Sequence, residues 1–168
     1  MKRAVYSLVT ALALVATAPL LSGCSGVPAG TTGDGPVALA EGWAKSADAG
    51  GMTGVFGTLT NHGPTPLSIT GIESDAAGVA ELHEVTADGV MQEKARGATL
   101  APGEPFELSP GRDHIMLMDL GHDLLPGDDV TFALRFSDGS TQSYTVPVKD
   151  YAGANESYEH GDGHGSDH

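Results

Sequence analysis

Short runs of β-forming residues, separated by turn clusters at close intervals, constrain the fold of this chain more than any other feature. Between residues 37 and 148 the apolar runs are too short for helices, and glycine or proline repeatedly interrupts them. The predicted strands are residues 37–44, 52–59, 66–72, 79–85, 90–94, 106–108, 114–118, 130–136 and 141–148. This spacing predicts an all-β domain, an antiparallel β-sandwich with Greek-key connections.

The N-terminal residues predict export. Lys2 and Arg3 precede an apolar stretch over residues 4–21, and these flanks are typical of a secretory signal peptide rather than a membrane-spanning helix. The stretch ends in LLSGC, which resembles the bacterial lipobox, and the resemblance implies that Cys24 carries a lipid. We therefore predict a signal peptide over residues 1–23, a flexible tether over 24–36 and one β-sandwich domain over 37–150. The lipid and the tether would anchor this extracytoplasmic domain to the cell membrane.

Charge and composition exclude several function classes. The chain has 8 basic and 22 acidic residues and a formal net charge of −14, so a nucleic-acid partner is not expected. Cys24 is the only cysteine, which excludes a disulfide framework and a blue-copper centre with a thiolate ligand. The sequence contains no nucleophile elbow, phosphate-binding glycine loop or zinc-protease histidine pair. We predict that the protein is not an enzyme.

The segment HIMLM over residues 114–118 carries the strongest chemical signal. Side chains alternate across a strand, so His114, Met116 and Met118 share one face, while Ile115 and Leu117 share the other. The isoleucine and leucine are the better core pair, so we expect the imidazole and the two thioethers to face outward.

That combination of ligands suits copper(I). Cu(I) is a soft ion that accepts thioether and imidazole, whereas Mg²⁺ and Ca²⁺ prefer oxygen. Histidine and methionine two residues apart on a strand are separated by about 6.5–7 Å along the backbone, within reach of one ion. The alternative is that Met116 or Met118 only fills a gap in the core.

A second segment, residues 80–93, predicts a hairpin that supplies further ligands. A loop of three residues, Ala87 to Gly89, with glycine in the left-handed conformation would pair Val85 with Met91 and His83 with Glu93. His83 and Met91 then share a face. A two-residue loop would place them on opposite faces, because a slip of one residue reverses every side chain.

Together these segments resemble the PCu(A)C-type periplasmic copper chaperones. The family motif is a histidine, ten residues, a methionine, about twenty-one residues and then His-x-Met. Residues 108–118, LSPGRDHIMLM, match the family pattern L-x-P-G-x-x-H-x-M-L-M, and ELHE at 81–84 supplies the first histidine. The resemblance covers most of residues 37–148. It implies a cupredoxin-like sandwich that delivers Cu(I) to extracytoplasmic targets, chiefly the copper centres of cytochrome c oxidase.

One ligand departs from the family pattern. Ten residues beyond His83 the chain has Lys94, and alignment on the turn places Glu93 where the family often has a second methionine. The predicted copper ligands are therefore His83, Met91, His114 and Met116, with Met118 in reserve if Met91 cannot reach.

The C-terminal residues 151–168 are predicted to form a disordered acidic tail. His160, His164 and His168 either gather Cu(II) or Zn(II) there or belong to a tail that only keeps the protein soluble.

Three functions remain open from the sequence. A monomeric copper(I) chaperone would pass its ion to a cytochrome c oxidase subunit or to another copper chaperone. A sequestration protein would protect the cell against excess copper. A structural β-sandwich lipoprotein would bind no metal, and its two histidines would lie far apart or be buried with hydrogen bonds.

Overall fold

The computed structural model describes residues 35–151, and this part of the chain forms ten β-strands. The strands are β1 (Val37–Lys45), β2 (Met52–Asn61), β3 (Leu67–Ser74), β4 (Ala77–Val85), β5 (Met91–Glu93), β6 (Thr99–Leu100), β7 (Pro105–Leu108), β8 (His114–Leu120), β9 (Asp129–Phe136) and β10 (Thr141–Lys149). Residues 35–151 contain no helix, and hence none that could cross a membrane. The prediction of an all-β fold is confirmed.

The strands follow one another in the order β5-β4-β8-β2-β1-β10-β9-β3-β6, and β7 also pairs with β2. All pairings between these strands are antiparallel except that of β1 with β10, where Ala44 lies opposite Val148. Neighbouring strands are often distant in sequence, as β4 and β8 are, which is the property of Greek-key connections. The parallel pair joins the two layers of the sandwich.

The core lies between these layers. Strand β10 alternates strictly between exposed and buried residues, as expected for a strand with one face on a core. Tyr144 on this strand is 1% exposed, and its hydroxyl donates a hydrogen bond to the Val37 carbonyl oxygen at 3.0 Å. Burial raises the pKa of Tyr144. Leucine, isoleucine, valine, phenylalanine and alanine dominate the core. Among residues 35–151 one methionine is buried, Met116, and it lies on the face of β8 opposite to the core residues Ile115 and Leu117.

Strand β8 is different because both of its faces are buried. Its residues from His114 to Leu117 are all buried, while Met118 is half-buried. It runs between β4 and β2, and Ile115 and Leu117 point into the core. A central strand with two covered faces is able to hold polar or metal-binding side chains away from water without disturbing the core.

Candidate metal centre

His83 on β4 and His114 on β8 meet on the face of the sheet that lies away from the core. They are direct cross-strand partners, and their ring centroids are 5.9 Å apart. The β-sheet register therefore brings together two histidines that are distant in sequence. Direct cross-strand partners are near neighbours on one face of a sheet, and among the four predicted ligands only these two are paired in this way.

The His114 ring has one nitrogen engaged and one available. Its Nδ1 lies 2.8 Å from the Arg112 carbonyl oxygen, and because a carbonyl oxygen only accepts, Nδ1 carries the proton. In the neutral ring the lone pair then lies on Nε2. That nitrogen is buried and has no hydrogen-bond partner within the described part of the chain. A second-sphere hydrogen bond of this kind fixes the orientation of a metal-binding histidine.

His83 has the same arrangement with its nitrogens exchanged. Nε2 lies 3.1 Å from Glu81 Oε2 and donates to this carboxylate. Nδ1 is buried and finds no hydrogen-bond partner among residues 35–151. The His83 side chain is 13% exposed, whereas His114 is fully buried. A buried polar atom left without a partner costs about 1–3 kcal/mol, so two such nitrogens on neighbouring rings need an explanation.

Methionine sulfur has to complete any metal site here. Between residues 35 and 151 no three histidine, cysteine, aspartate or glutamate side chains are grouped so as to hold a metal ion. Met116 follows His114 on the same face of β8 and lies opposite Glu81 on β4 and Gly54 on β2.

We expected His114, Met116 and Met118 to lie on the outer face of their strand, and that face is more buried than this expectation implied. They do lie on the face opposite to Ile115 and Leu117, but Met116 is only 1% exposed and His114 is completely buried. Met116 is nevertheless not part of the core cluster. An aromatic ring from the neighbouring strand β2 lies over this face of β8.

The covering ring belongs to Phe56. A Cβ atom placed on Gly54 would lie 2.5 Å from Phe56 Cζ, so the ring occupies the space that the glycine leaves beside Met116. The Phe56 centroid is 6.0 Å from that of His114 and 4.6 Å from that of Trp43. Sequence reasoning did not find Phe56, Gly54 or Trp43 at this site. The alternation of β2 would have placed Gly54 and Phe56 on one face, but the pairing of β2 with β8 is not visible in the sequence.

Met91 lies at the other side of the histidine pair. Strand β5 pairs Val85 with Met91 and His83 with Glu93, and Gly89 has a φ angle of 78°. The predicted three-residue loop is therefore confirmed, and Met91 shares a face with His83. Met91 is half-buried, one step nearer the turn than His83, whereas Met116 is one step farther from it.

Lys94, at the position of the family's methionine, lies on the opposite face. Its Nζ is 2.9 Å from both carboxylate oxygens of Asp113 and 3.1 Å from Glu84 Oε2. Burial lowers the pKa of Lys94, but these hydrogen bonds outweigh burial and raise it overall. Hydrogen bonds from Gln92 and Lys94 lower the pKa of Glu84. Lys94 thus ties together the residues that adjoin the two histidines, and it is not placed to be a ligand.

Met118 lies farther from the histidines. It pairs with Val79 on β4 and Met52 on β2, two same-face steps from His114. Sequence reasoning did not include Met52, although its place at the start of a predicted strand was visible.

Several predictions concern residues outside 35–151, the part that the structure describes. These are the signal peptide, the lipidation of Cys24, most of the tether, and the tail with His160, His164 and His168. They stay predictions.

Comparisons with known proteins give the same fold. The PCuAC domain from PmoF2 in its copper-bound structure has a TM-score of 0.60 and 16% identity, over 72% of this chain and 98% of that one. The solution structure of CuI-DR1885 from Deinococcus radiodurans has a TM-score of 0.53 and 25% identity, over 78% of this chain and 85% of that one. The predicted resemblance to PCu(A)C domains is confirmed, and with it the cupredoxin-like sandwich.

Sequence comparison identifies the family. The protein Lxx21020 of Leifsonia xyli subsp. xyli (strain CTCB07) is 44% identical over 133 residues, which cover 77% of this chain and 79% of the relative. The sequence profile of the LpqE-like family matches residues 37–148. Both descriptions contain the word lipoprotein. Over its whole β-sandwich, the chain belongs to the LpqE-like family.

Proposed function

We propose that this protein is an extracytoplasmic copper(I) chaperone, held at the membrane by a lipid on Cys24. It binds one Cu(I) through His83, His114 and Met116, with Met91 as the fourth ligand, and delivers it to the copper centres of cytochrome c oxidase. One observation carries the proposal: two adjacent buried imidazoles each have an unpaired nitrogen among the described residues, next to the buried thioether of Met116 on the same face of the sheet.

The donor set favours Cu(I) over other ions. Two imidazoles and one or two thioethers are neutral and soft, which suits a monovalent soft cation. The carboxylate of Glu81 accepts a hydrogen bond from His83 at 3.1 Å and so orients the ring. Zn²⁺ would instead need cysteine, further histidine or carboxylate ligands, which are not grouped between residues 35 and 151. Copper appears in the printed descriptions of both structural relatives.

A sandwich without metal explains the geometry less well. Its histidines should be hydrogen-bonded or solvated, because each buried unpaired nitrogen costs about 1–3 kcal/mol. Here each ring donates its N–H to an oxygen acceptor, and its other nitrogen is buried without a hydrogen-bond partner among residues 35–151. Coordination of an ion would remove both penalties.

The unequal burial of the ligands supports delivery. His114 and Met116 are inaccessible, whereas His83 is partly exposed and Met91 lies half-buried in the short edge strand β5. A partner that approaches the β4–β5 hairpin could replace the accessible ligands one at a time while the buried pair still holds the ion. The acceptor would be an oxidase subunit or another copper chaperone.

The test is a competition titration with a coloured Cu(I) chelator under anaerobic conditions. The double variant His114→Ala, Met116→Ala should lose tight binding of one Cu(I) per chain, with affinity falling on the order of a hundredfold or more. The control is His62→Ala, which changes an exposed turn histidine and should bind like the wild type. Tight single-site binding that survives the double substitution would disprove the site.

Sequestration under copper stress is the second candidate, since the complete burial of two ligands also favours slow release. Gene deletion separates the two functions. Delivery predicts loss of oxidase activity that added copper restores, whereas sequestration predicts copper sensitivity with normal oxidase.

A further inference from the structure

The methionines of this domain are distributed in an unusual way. Between residues 35 and 151 there are four, Met52, Met91, Met116 and Met118, and the strand register puts all of them on the face that carries His83 and His114. None belongs to the core cluster of that part of the chain. Methionine usually serves to fill irregular gaps in cores. Here even the buried Met116 lies on the face opposite to Ile115 and Leu117, and the four methionines are concentrated on the histidine face.

Two of these methionines form a pair outside the centre described above. Met52 on β2 and Met118 on β8 are direct cross-strand partners, and Met116 is the next same-face residue along β8. Directly opposed side chains have Cβ atoms about 4.5–5.5 Å apart, and diagonal neighbours are still within reach of long side chains. The thioethers of Met52, Met116 and Met118 can therefore converge on one ion.

We propose that Met52 and Met118 form a second, weaker Cu(I) site that shares Met116 with the histidine centre and passes copper to it. This inference rests on the proposed function. The copper-binding atoms are three neutral sulfurs. Thioether sulfur is a ligand for Cu(I), whereas Ca²⁺ and Mg²⁺ prefer oxygen ligands and Zn²⁺ prefers thiolate, imidazole or carboxylate. Without imidazole nitrogen it holds the ion less tightly, and once the histidine centre is occupied only the sulfurs of Met52 and Met118 remain for a second ion.

The difference in burial between the two sites favours transfer of copper from the methionine pair to the histidine centre. Met52 and Met118 are half-buried, so an incoming ion can reach them, whereas Met116 and His114 are buried. Val79 lies opposite Met118 on β4 and is 39% exposed, so it adds an apolar side chain next to the methionine pair. Copper bound at the outer pair keeps its bond to Met116 while the bonds to Met52 and Met118 break and bonds to His114 and His83 form. The ion stays Cu(I) throughout, and no proton or electron has to be supplied.

The first test uses the full chain labelled with ¹³C on the methionine methyl groups and titrated anaerobically with Cu(I). With the first equivalent the Met116 methyl resonance should shift, and with the second the Met52 and Met118 resonances should shift together. Met52→Leu should abolish the second binding event and leave the affinity for the first ion within about twofold, because it preserves size and apolarity. If neither Met52 nor Met118 responds to the second equivalent, the site does not exist.

The second test measures how fast the histidine centre takes up copper from a Cu(I)–chelator complex. Met52→Leu should slow this step severalfold. Val79→Ala is the matched control, since it removes apolar surface next to the methionine pair but no sulfur. This variant should load copper at the wild-type rate. Equal slowing by both variants would show that the apolar surface around Met52, Met118 and Val79 is a docking surface, and would overturn the proposal. An unchanged rate in Met52→Leu would also overturn it.

The same titrations separate this inference from the proposed function. If His114→Ala, Met116→Ala leaves tight binding of the first ion intact, the proposed histidine centre fails, whatever the labelled methyl groups report. If the first ion binds as proposed and the Met52 and Met118 methyl groups do not move, only the second site fails.

Discussion

His83 and His114 are paired across β4 and β8 with their ring centroids 5.9 Å apart, and each ring donates one N–H to a nearby oxygen. Arg112 accepts from His114 through its carbonyl and Glu81 accepts from His83 through its carboxylate. Opposite nitrogens are used, Nδ1 in one ring and Nε2 in the other. These hydrogen bonds fix the orientation of both imidazole rings before any ion binds, so the folded domain presents a preorganised pair of nitrogen ligands.

Copper(I) should stabilise the folded domain. An ion that binds only the native state adds about 2.7 kcal/mol at a free concentration of one hundred times its Kd. We expect the thermal unfolding midpoint to rise with Cu(I) concentration, as measured by anaerobic differential scanning fluorimetry. His83→Ala should show little or no rise, and His62→Ala should behave like the wild type. A similar rise in His83→Ala would contradict the proposed ligand set.

Glu93→Met should tighten Cu(I) binding, whereas Lys94→Met should not. Glu93 lies opposite His83, on the face of the sheet that carries the two histidines. Lys94 lies on the other face, beside the carboxylates of Asp113 and Glu84. A thioether at position 93 would add a soft ligand, and we expect a gain on the order of tenfold, equivalent to about 1.4 kcal/mol. The two variants are matched because they introduce the same residue at adjacent positions. Chelator competition measures both, and the reverse ranking would mean that the hairpin register is wrong.

The ion pairs of Lys94 should stabilise the fold only within a pH window. The pKa of Glu84 is lowered from 4.5, so its contribution is present above that value and is lost as the pH falls through the lowered pKa. The pKa of Lys94 is raised from 10.5, so its contribution is present below that value and is lost as the pH rises through the raised pKa.

Lys94→Met should therefore lower the urea midpoint of unfolding at about pH 7, and the difference from wild type should shrink at about pH 3. The conservative variant Lys94→Arg should retain most of the stability. A difference between wild type and Lys94→Met that is the same at both pH values would show that the ion pairs do not contribute.

Gly54→Ala should damage the cover of the metal centre. The added Cβ would lie 2.5 Å from Phe56 Cζ, and the ring is 3% exposed and packed against Trp43, so it cannot move freely. Overpacking of this kind costs about 1–3 kcal/mol, measurable by urea unfolding. The displaced ring should also change the Trp43 fluorescence. Gly121→Ala is the control, because its nearest contact would be the Ala76 carbonyl oxygen at 3.9 Å, and the expected change is within about 0.5 kcal/mol.

Local patterns predicted the strands well and the environment of the site less well. Nine of the ten strands in residues 35–151 were predicted within a few residues, and the two-residue β6 was missed because so short a strand has no alternation to detect. The alternation of β8 correctly separated His114 and Met116 from Ile115 and Leu117. Burial of the histidine face was not predictable, since it depends on β2 lying beside β8, a long-range pairing.

The spacing rule for the second methionine also failed for a physical reason. Counting along the chain leads to Lys94, but a side chain reaches the site only if the hairpin register puts it on the same face as His83. Met91 and Glu93 meet that condition and Lys94 does not. Counting residues in a strand is reliable only when the turn is known, and Gly89 with its left-handed backbone sets that turn.

The separation of β4 and β8 in the sequence also governs when the proposed centre can be loaded. An unfolded chain has His83 and His114 as isolated side chains, and only completion of a long-range strand pairing brings their nitrogens together. An unfolded chain would therefore have no preformed pocket for copper, and loading would start only after folding. If the chain is exported, as proposed above, in an unfolded state, the order of the strands would confine metal capture to the compartment in which the domain folds.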